Sequence, residues 1–420
     1  MRLAARPDPL LTARGVLAGG WACLLAAATF ALSLAQNRSD RALGGLFNDF
    51  YDYWAAARVL NLGGSPYDKH LLVQVLDAAG VHSTVGTGYS YPLLLAEVGR
   101  PLGLLPPLPA AAVFTLGSLA ALGLAVALLL SPLRDAPARA VGVLATAAGL
   151  FAPVDGTLYV GQVNLCLLPA AALAWRGTWR PGSLAVASAV KLYPLATLGA
   201  YLALGRRGVR PLLTALVAAA GLTLLPNLLT GTWSYGVNVV QMFKPDPYWS
   251  NQSVNGFLSR LAMPSDWSRP PLPGLPVTPL MLVACALLGA ATLALALRAH
   301  RGRWPGAFAL LLCYSVVAAP KNSLWNLTPL LVVLVHAWSE GRGRRWTSAV
   351  LGLVWALCAG IRLVDVLRGT LPGHPVAMAW LGSLPLYGGL LLTGLLVHQA
   401  LAAARPVPVA PSVEAPEVAA

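Results

Sequence analysis

The sequence predicts an all-α integral membrane protein, a polytopic helical bundle with helices in its outer loops. Three observations carry that prediction. Hydrophobic residues make up 57% of the chain and charged residues only 10%, against about 25% charged in soluble domains. The mean hydropathy is +0.67. Apolar runs of bilayer length recur along most of the chain, and a spanning helix needs roughly 20 such residues. A water-filling globular enzyme is excluded. With about 10 residues per connection, the chain has room for roughly 11–13 membrane helices. The 34 Pro and 41 Gly predict that many of them are broken or tightly turned.

Arg2, Arg6 and Arg14 precede the first apolar run, 16–35. Ser33-Leu34-Ala35 resembles a cleavage site, but the run is long for a cleaved signal and is read as an uncleaved helix. A polar stretch, 36–89, follows. Apolar runs then lie near 92–106 (short, interfacial), 109–131, 140–153, 163–175, 182–204, 211–230, 275–297, 305–319, 324–338, 346–364 and 378–402. The Pro/Ala/Val-rich tail, 405–420, is expected to be disordered, leaving 1–404 as one membrane domain.

A cytoplasmic N-terminus gathers Arg134/Arg139, Arg176/Arg180, Arg206/Arg207/Arg210, Arg298/Arg301/Arg303 and Arg342/Arg344/Arg345 on the inner side, as the positive-inside rule demands. The net charge of +14 then reflects inner loops, and no nucleic-acid partner is expected. Both termini fall in the cytoplasm of a cell whose inner (plasma) membrane holds the bundle. The long polar segments 36–89 and 231–274 fall outside and are expected to form the active-site face. Cys23, Cys166, Cys285, Cys313 and Cys358 all lie in apolar runs without a CxxC spacing; they read as core residues. With the six His scattered, no metal site and no cofactor are expected, although loop acids alone can hold a divalent ion.

One parity problem is informative. Arg176/Arg180 and Arg206/Arg207/Arg210 both belong inside, yet a single run, 182–204, separates them. Ala189-Val190-Lys191-Leu192-Tyr193-Pro194 interrupts that run with a charge and a proline. Two short helices meeting there go out and return, carrying Lys191 to the outer side; broken helices are tolerated where they line a cavity.

In the first outer loop, 50–60 has helical periodicity, with Phe50, Trp54, Ala57 and Val59 on one stripe. It predicts an amphipathic helix at the outer membrane surface. Asp49 stands just ahead, where a helix N-terminus welcomes a carboxylate; the plain reading is a cap, the other a site acid. Asp52 lies one turn on, as a solvated face or a second site acid. Asp155-Gly-Thr-Leu-Tyr159-Val-Gly161-Gln162-Val-Asn164, Asn251-Gln252-Ser253 with Arg260, and Pro320-Lys321-Asn322-Ser323-Leu324-Trp325-Asn326 punctuate the apolar text. Each alone is explained by a loop charge, a snorkelling lysine or a cap. Together they bring Lys191, Arg260 and Lys321 to the same outer face as Asp49 and Asp52. Charge near hydrocarbon is costly and marks functional paths. Transfer of a group from a lipid phosphate suits this set. The cations would hold the phosphate and offset its developing charge, and a carboxylate would take the proton of the attacking hydroxyl.

Several of these motifs together resemble glycosyltransferase family 87, the polyprenyl-phosphate-mannose-dependent mannosyltransferases of the GT-C superfamily. They are Asp49-Phe50-x-x-Tyr53-Trp54-x-Ala56 through Gly64-x-Pro66-Tyr67-Asp68, Tyr91-Pro92-Leu93-Leu94, Gly161-Gln162-Val163-Asn164-Leu165, Ala189-Val190-Lys191-Leu192-Tyr193-Pro194, and Asn251-Gln252-Ser253-Val254-x-Gly256 with Arg260. The resemblance runs over about 45–335. It implies an enzyme of about a dozen helices that moves mannose from a polyprenyl phosphate to an extracytoplasmic glycan or glycolipid, inverting the anomeric centre with a single base. Asp49 matches the catalytic position, with Asp52 beside it. Lys191, Arg260 and Lys321 are expected at the donor phosphate. Tyr53, Tyr67, Gln162, Asn164, Tyr193, Asn251, Gln252 and Asn326 are expected to contact substrate. The sequence departs from the family in one place: where many members carry Pro-x-Ser-Trp-x-His-His, this chain reads Pro320 to Asn326 without a histidine, so Asn326 or Lys321 must substitute.

Two other classes fit part of this pattern. A transporter or flippase of lipid-linked sugar also has broken helices, but it predicts internal repeats and ionisable groups near the bilayer midplane; no matching halves are visible. A non-catalytic subunit of an envelope complex predicts that Asp49 is a dispensable cap.

Overall fold

The computed structural model describes residues 10–36, 45–81, 88–232, 240–265, 268–370 and 375–403. The tail 405–420, expected to be disordered, and Arg2 and Arg6 lie outside them. The chain begins with α1 (Ala13–Gln36), followed by the loop helices α2 (Asn48–Asn61) and α3 (Lys69–Ala78). Next come α4 (Leu93–Gly99), α5 (Pro107–Leu130), α6 (Ala138–Gly149), α7 (Ala152–Val160) and α8 (Asn164–Arg176). The helix α9 (Arg180–Val190) runs into a 3₁₀ segment, Tyr193–Leu204, and then α10 (Arg206–Thr230). The second half holds α11 (Val254–Ala262), α12 (Val277–Ala299), α13 (Trp304–Val317) and α14 (Leu330–Glu340). It ends with α15 (Arg345–Thr370), α16 (Pro375–Leu381) and α17 (Leu384–Ala403). Among the described residues the only extended pairing is one antiparallel bridge, Asn251 with Ser323.

Among the described residues, six helical stretches are long and apolar enough to cross a membrane: α1, α5, the pair α6–α7 (Ala138–Val160), α10, α12 and α17. The chain is a multi-pass membrane protein. Of the other segments expected as spans, 346–364 falls within the 26-residue α15 and the rest form shorter helices; two of the breaks have a local cause. The run 92–106 is divided at Pro101 into α4 and a 3₁₀ turn, Leu102–Leu104. The run 378–402, expected as one helix, breaks between α16 and α17 at Gly382-Ser383. There the Gly382 carbonyl accepts from Gln252 Nε2 at 2.8 Å and Ser383 Oγ from Arg260 at 2.6 Å. The Gly382 carbonyl, drawn off to Gln252, does not continue the i→i−4 ladder, whereas the Gly382 N–H and the Ser383 carbonyl still bond to Met378 and Tyr387.

The core is α13 and α14, whose residues 306–313 and 330–337 are all buried. Around them pack α8, the 3₁₀ segment and α17. Small residues bring α1 onto α5: a Cβ at Gly19 would collide with the Gly123 carbonyl, the close approach that membrane helices use for association. By contrast α10 and α12 have only 17% of their apolar windows buried, and their uncovered leucines and valines face lipid.

The break at Lys191 falls where charge parity requires it. Val190 ends α9, Lys191 is extended (φ −139°, ψ 140°), and Pro194 sits in the first turn of the returning segment. That return is 3₁₀ rather than α. Arg180, at the start of the hairpin, lies 4.7 Å over the Trp304 ring, and Tyr201, near its end, packs 4.6 Å from the same ring. Both legs therefore start and finish together, with Lys191 at the far tip.

Candidate active site

The site begins with α2. Phe50, Tyr53, Trp54 and Ala57 are buried at i, i+3, i+4 and i+7, the helical repeat of a core-facing stripe. Trp54 Nε1 donates to the Leu105 carbonyl at 3.0 Å and Arg58 to the Gly103 carbonyl at 3.2 Å, which fixes the helix against the 92–106 segment. The preceding residue, Phe47, is in the left-handed region (φ 58°), and no side chain caps the helix. Asp49 is therefore not the cap. It lies in the first turn, which suits a carboxylate, and its side chain points across to the α7–α8 joint.

That joint is Gly161-Gln162-Val163. Gly161 has φ 70°, and a Cβ there would collide with the Phe50 Cβ; only glycine lets α2 approach so closely. Gln162 is buried beside it. Its Nε2 donates to Asp49 Oδ2 at 2.7 Å and to the Tyr91 hydroxyl at 2.8 Å. Its Oε1 accepts from the Tyr53 hydroxyl and from Val163 N–H. Tyr53 and Tyr91 meet edge to face, 4.8 Å between centroids. Tyr67 donates to the Tyr91 carbonyl at 2.9 Å, so it positions Tyr91.

Lys191 comes to the same place from the hairpin tip. Its Nζ donates to Asn326 Oδ1 at 2.8 Å and lies 5.6 Å over the Tyr91 ring. Asn164 Nδ2 donates to the same Asn326 oxygen at 2.7 Å and to the Trp325 carbonyl at 2.9 Å. Asn164 Oδ1, fully buried, meets no hydrogen-bond partner among the described residues. Burial pushes the Asp49 carboxyl up to about 6, against the pull of Lys191, of hydrogen bonds from Gln162 and Trp325, and of Lys321. Burial and the neighbouring Asp49 charge push Asp52 well above the usual carboxylate range.

Asp49, Tyr53, Gln162, Asn164, Lys191 and Asn326 are thus brought together, with Asp52 and Lys321 at the edge. Lys321 is half-exposed and pairs with Asp246 at 2.8 Å. Four expected contacts lie elsewhere. The buried Arg260 donates to the carbonyls of Tyr248 (3.1 Å) and Asn251 (2.9 Å) and to Ser383 Oγ (2.6 Å). It clamps the second outer loop instead of facing the cluster, adding a second donor to the Tyr248 carbonyl, which already accepts from Asn251 N–H at 3.0 Å, and holding the Asn251 carbonyl as well. Asn251 and Gln252 serve the same seam: Asn251 Oδ1 accepts from Asn322 N–H at 3.1 Å, and Gln252 Nε2 donates to the Trp249 and Gly382 carbonyls. Tyr193 lines a small apolar cavity with Leu168, Phe308 and Leu312. Tyr91 and Trp325, by contrast, were not expected to contact the site. Both stand in motifs visible in the sequence, but nothing there tells that Tyr91 roofs Lys191 or that the Trp325 carbonyl anchors Asn164.

Fold and site together define a multi-pass membrane protein with an acid and a lysine recessed at one end of the bundle. The chain belongs to glycosyltransferase family 87, whose pattern matches residues 89–320, and is thereby a sugar-transferring enzyme. The match holds Gln162, Asn164 and Lys191; Asn326 lies shortly after it and Asp49 well before it, both joined to it by the contacts above. Among curated proteins and solved structures none matches the chain.

Proposed function

We propose that this protein transfers a hexose, mannose by its resemblance, from a polyprenyl phosphate to a glycan or glycolipid hydroxyl on the extracytoplasmic side of the inner membrane, with inversion. The observation that carries the reading is the joining of the Asp49 carboxylate and the Lys191 ammonium through one shell of side chains, Gln162, Tyr91 and Asn326. Asp49, tuned to about 6, is ionised at neutral pH yet close enough to it to accept a proton, as a general base must be. The acceptor oxygen attacks the anomeric carbon, the carbon–oxygen bond to phosphate breaks, and the phosphate leaves with the bonding pair. Lys191, fixed by Asn326, offsets the charge that grows there. The unpartnered Asn164 Oδ1 takes a sugar hydroxyl. The arginine bias of the connecting loops puts both termini in the cytoplasm and the cluster outside.

The test is transfer of labelled mannose in membranes containing the protein, from polyprenyl-phosphate mannose and, separately, from a nucleotide-linked mannose. Label appearing in product from the lipid donor alone supports the reading; dependence on the nucleotide sugar, or no transfer from either, contradicts it.

A further inference from the structure

Asp246 belongs to none of the groups above, yet it holds one of them. Its N–H donates to Ser259 Oγ at 2.9 Å, its carbonyl accepts from Asn251 Nδ2 at 3.1 Å, and its Oδ1 accepts from Tyr248 N–H at 3.1 Å. These bonds fix the carboxylate in the second outer loop. Its other oxygen meets Lys321 Nζ at 2.8 Å, with the acid side chain 18% exposed and the lysine 53%. Lys321 opens the segment that ends in Asn326, the partner of Lys191. The same segment is sewn to the Asp246 loop by Gln252 N–H to the Asn322 carbonyl, 2.6 Å, and Leu324 N–H to the Ser250 carbonyl, 2.9 Å. A flexible, exposed cation beside the site is thus neutralised by an anchored acid.

The consequence concerns charge at the phosphate. A lipid phosphodiester donor carries one negative charge. When its sugar is transferred, the oxygen that leaves keeps the bonding pair and the acceptor proton goes to the base, so the departing phosphate monoester carries close to two charges at neutral pH. An unneutralised cation attracts the second species about twice as strongly as the first, since Coulomb energy is proportional to charge. We propose that Asp246 is a specificity-determining residue: by neutralising Lys321 it keeps the phosphate site selective for the singly charged donor and lets the doubly charged lipid phosphate go. This rests on the lipid-phosphate reading of the site.

The test is direct binding, without turnover, of a short-chain polyprenyl phosphate and the matching polyprenyl phosphomannose to the full-length protein in nanodiscs. Asp246→Asn should tighten the monoester by roughly three- to fivefold, the scale of one exposed ion pair, and the phosphodiester by clearly less. Asp246→Glu should keep the wild-type ratio of the two affinities. Lys321→Gln should weaken the monoester more than the diester, a readout that stands even where Asp246→Asn fails to fold. Equal shifts for both ligands, or none, overturn the proposal while leaving the lipid-phosphate reading intact. Failure of the wild type to bind either ligand overturns that reading, and this one with it.

Discussion

Gln162 and Asp49 face each other across the gap between the first outer loop and the α7–α8 joint, with Gln162 Nε2 2.7 Å from Asp49 Oδ2. The amide cannot turn over, because its oxygen is taken by Tyr53 and Val163. With the Trp325 side chain as a second donor to the same carboxylate, Asp49 is held in one orientation. The orientation of the base is therefore set by residues that need not touch substrate.

Acidity follows from that arrangement. With the Asp49 carboxyl raised to about 6 by burial, it is an acceptor above that pH and is protonated below it. The rate kcat/KM should fall about tenfold per pH unit below about 6. The Gln162 hydrogen bond lowers the value, so Gln162→Leu should move this acid limb to higher pH. A pH–rate profile of the two proteins checks the direction; an unmoved limb contradicts the pairing.

Lys191 and Asn326 act as one device. Lys191→Ala should raise KM for the lipid donor and lower kcat. Asn326→Ala leaves the charge but frees it from its acceptor, and should raise KM with a smaller loss in kcat. Donor titrations on both variants check this. If the two variants keep wild-type KM, the phosphate lies elsewhere.

Arg260 should behave differently from the lysines. Arg260→Ala takes the guanidinium donor from the buried Asn251 carbonyl, at about 1–3 kcal/mol for a group left unsatisfied, removes one of the two donors on the Tyr248 carbonyl, and frees the α16–α17 break. The expected result is a lowered melting temperature in detergent, with loss of transfer following loss of fold. A stable Arg260→Ala protein with impaired donor binding would return this residue to the phosphate.

Gly161→Ala should separate α2 from the joint. The added Cβ meets Phe50 while the backbone is held at φ 70°, a strain of order 1–3 kcal/mol. Activity should fall more than stability, since Gln162 and Asp49 part by the same displacement. Equal transfer in the variant and the wild type, measured in membranes, contradicts this placement.

Much of this architecture is legible in the sequence where local chemistry decides. The α2 helix follows from the spacing of Phe50, Trp54 and Ala57, and the break at Lys191 from a charge and a proline inside an apolar run. The position of Asp49 at the head of α2 is legible too, although whether it caps or faces the site depends on Phe47 adopting a left-handed backbone. What escapes the sequence is direction. Arg260, Asn251 and Gln252 have the composition of a binding loop, and only the fold reveals that their donors turn inward to backbone carbonyls. Tyr91 reads as part of a Tyr-Pro turn until Lys191, 100 positions later, arrives over its ring. The division between α16 and α17 is hidden for the same reason, since the groups that end the helix come from the second outer loop.

The central claim is that Asp49 is the base. The most direct measurement is the initial rate of mannose transfer from polyprenyl-phosphate mannose by Asp49→Asn, in membranes matched for the amount of folded, inserted protein. The substitution keeps the size of the side chain and removes its basicity. The expected loss is about 10²- to 10⁴-fold, the usual weight of a general base. Transfer at the wild-type rate by a folded Asp49→Asn protein would contradict the account and leave Asp49 a structural residue of the first outer loop.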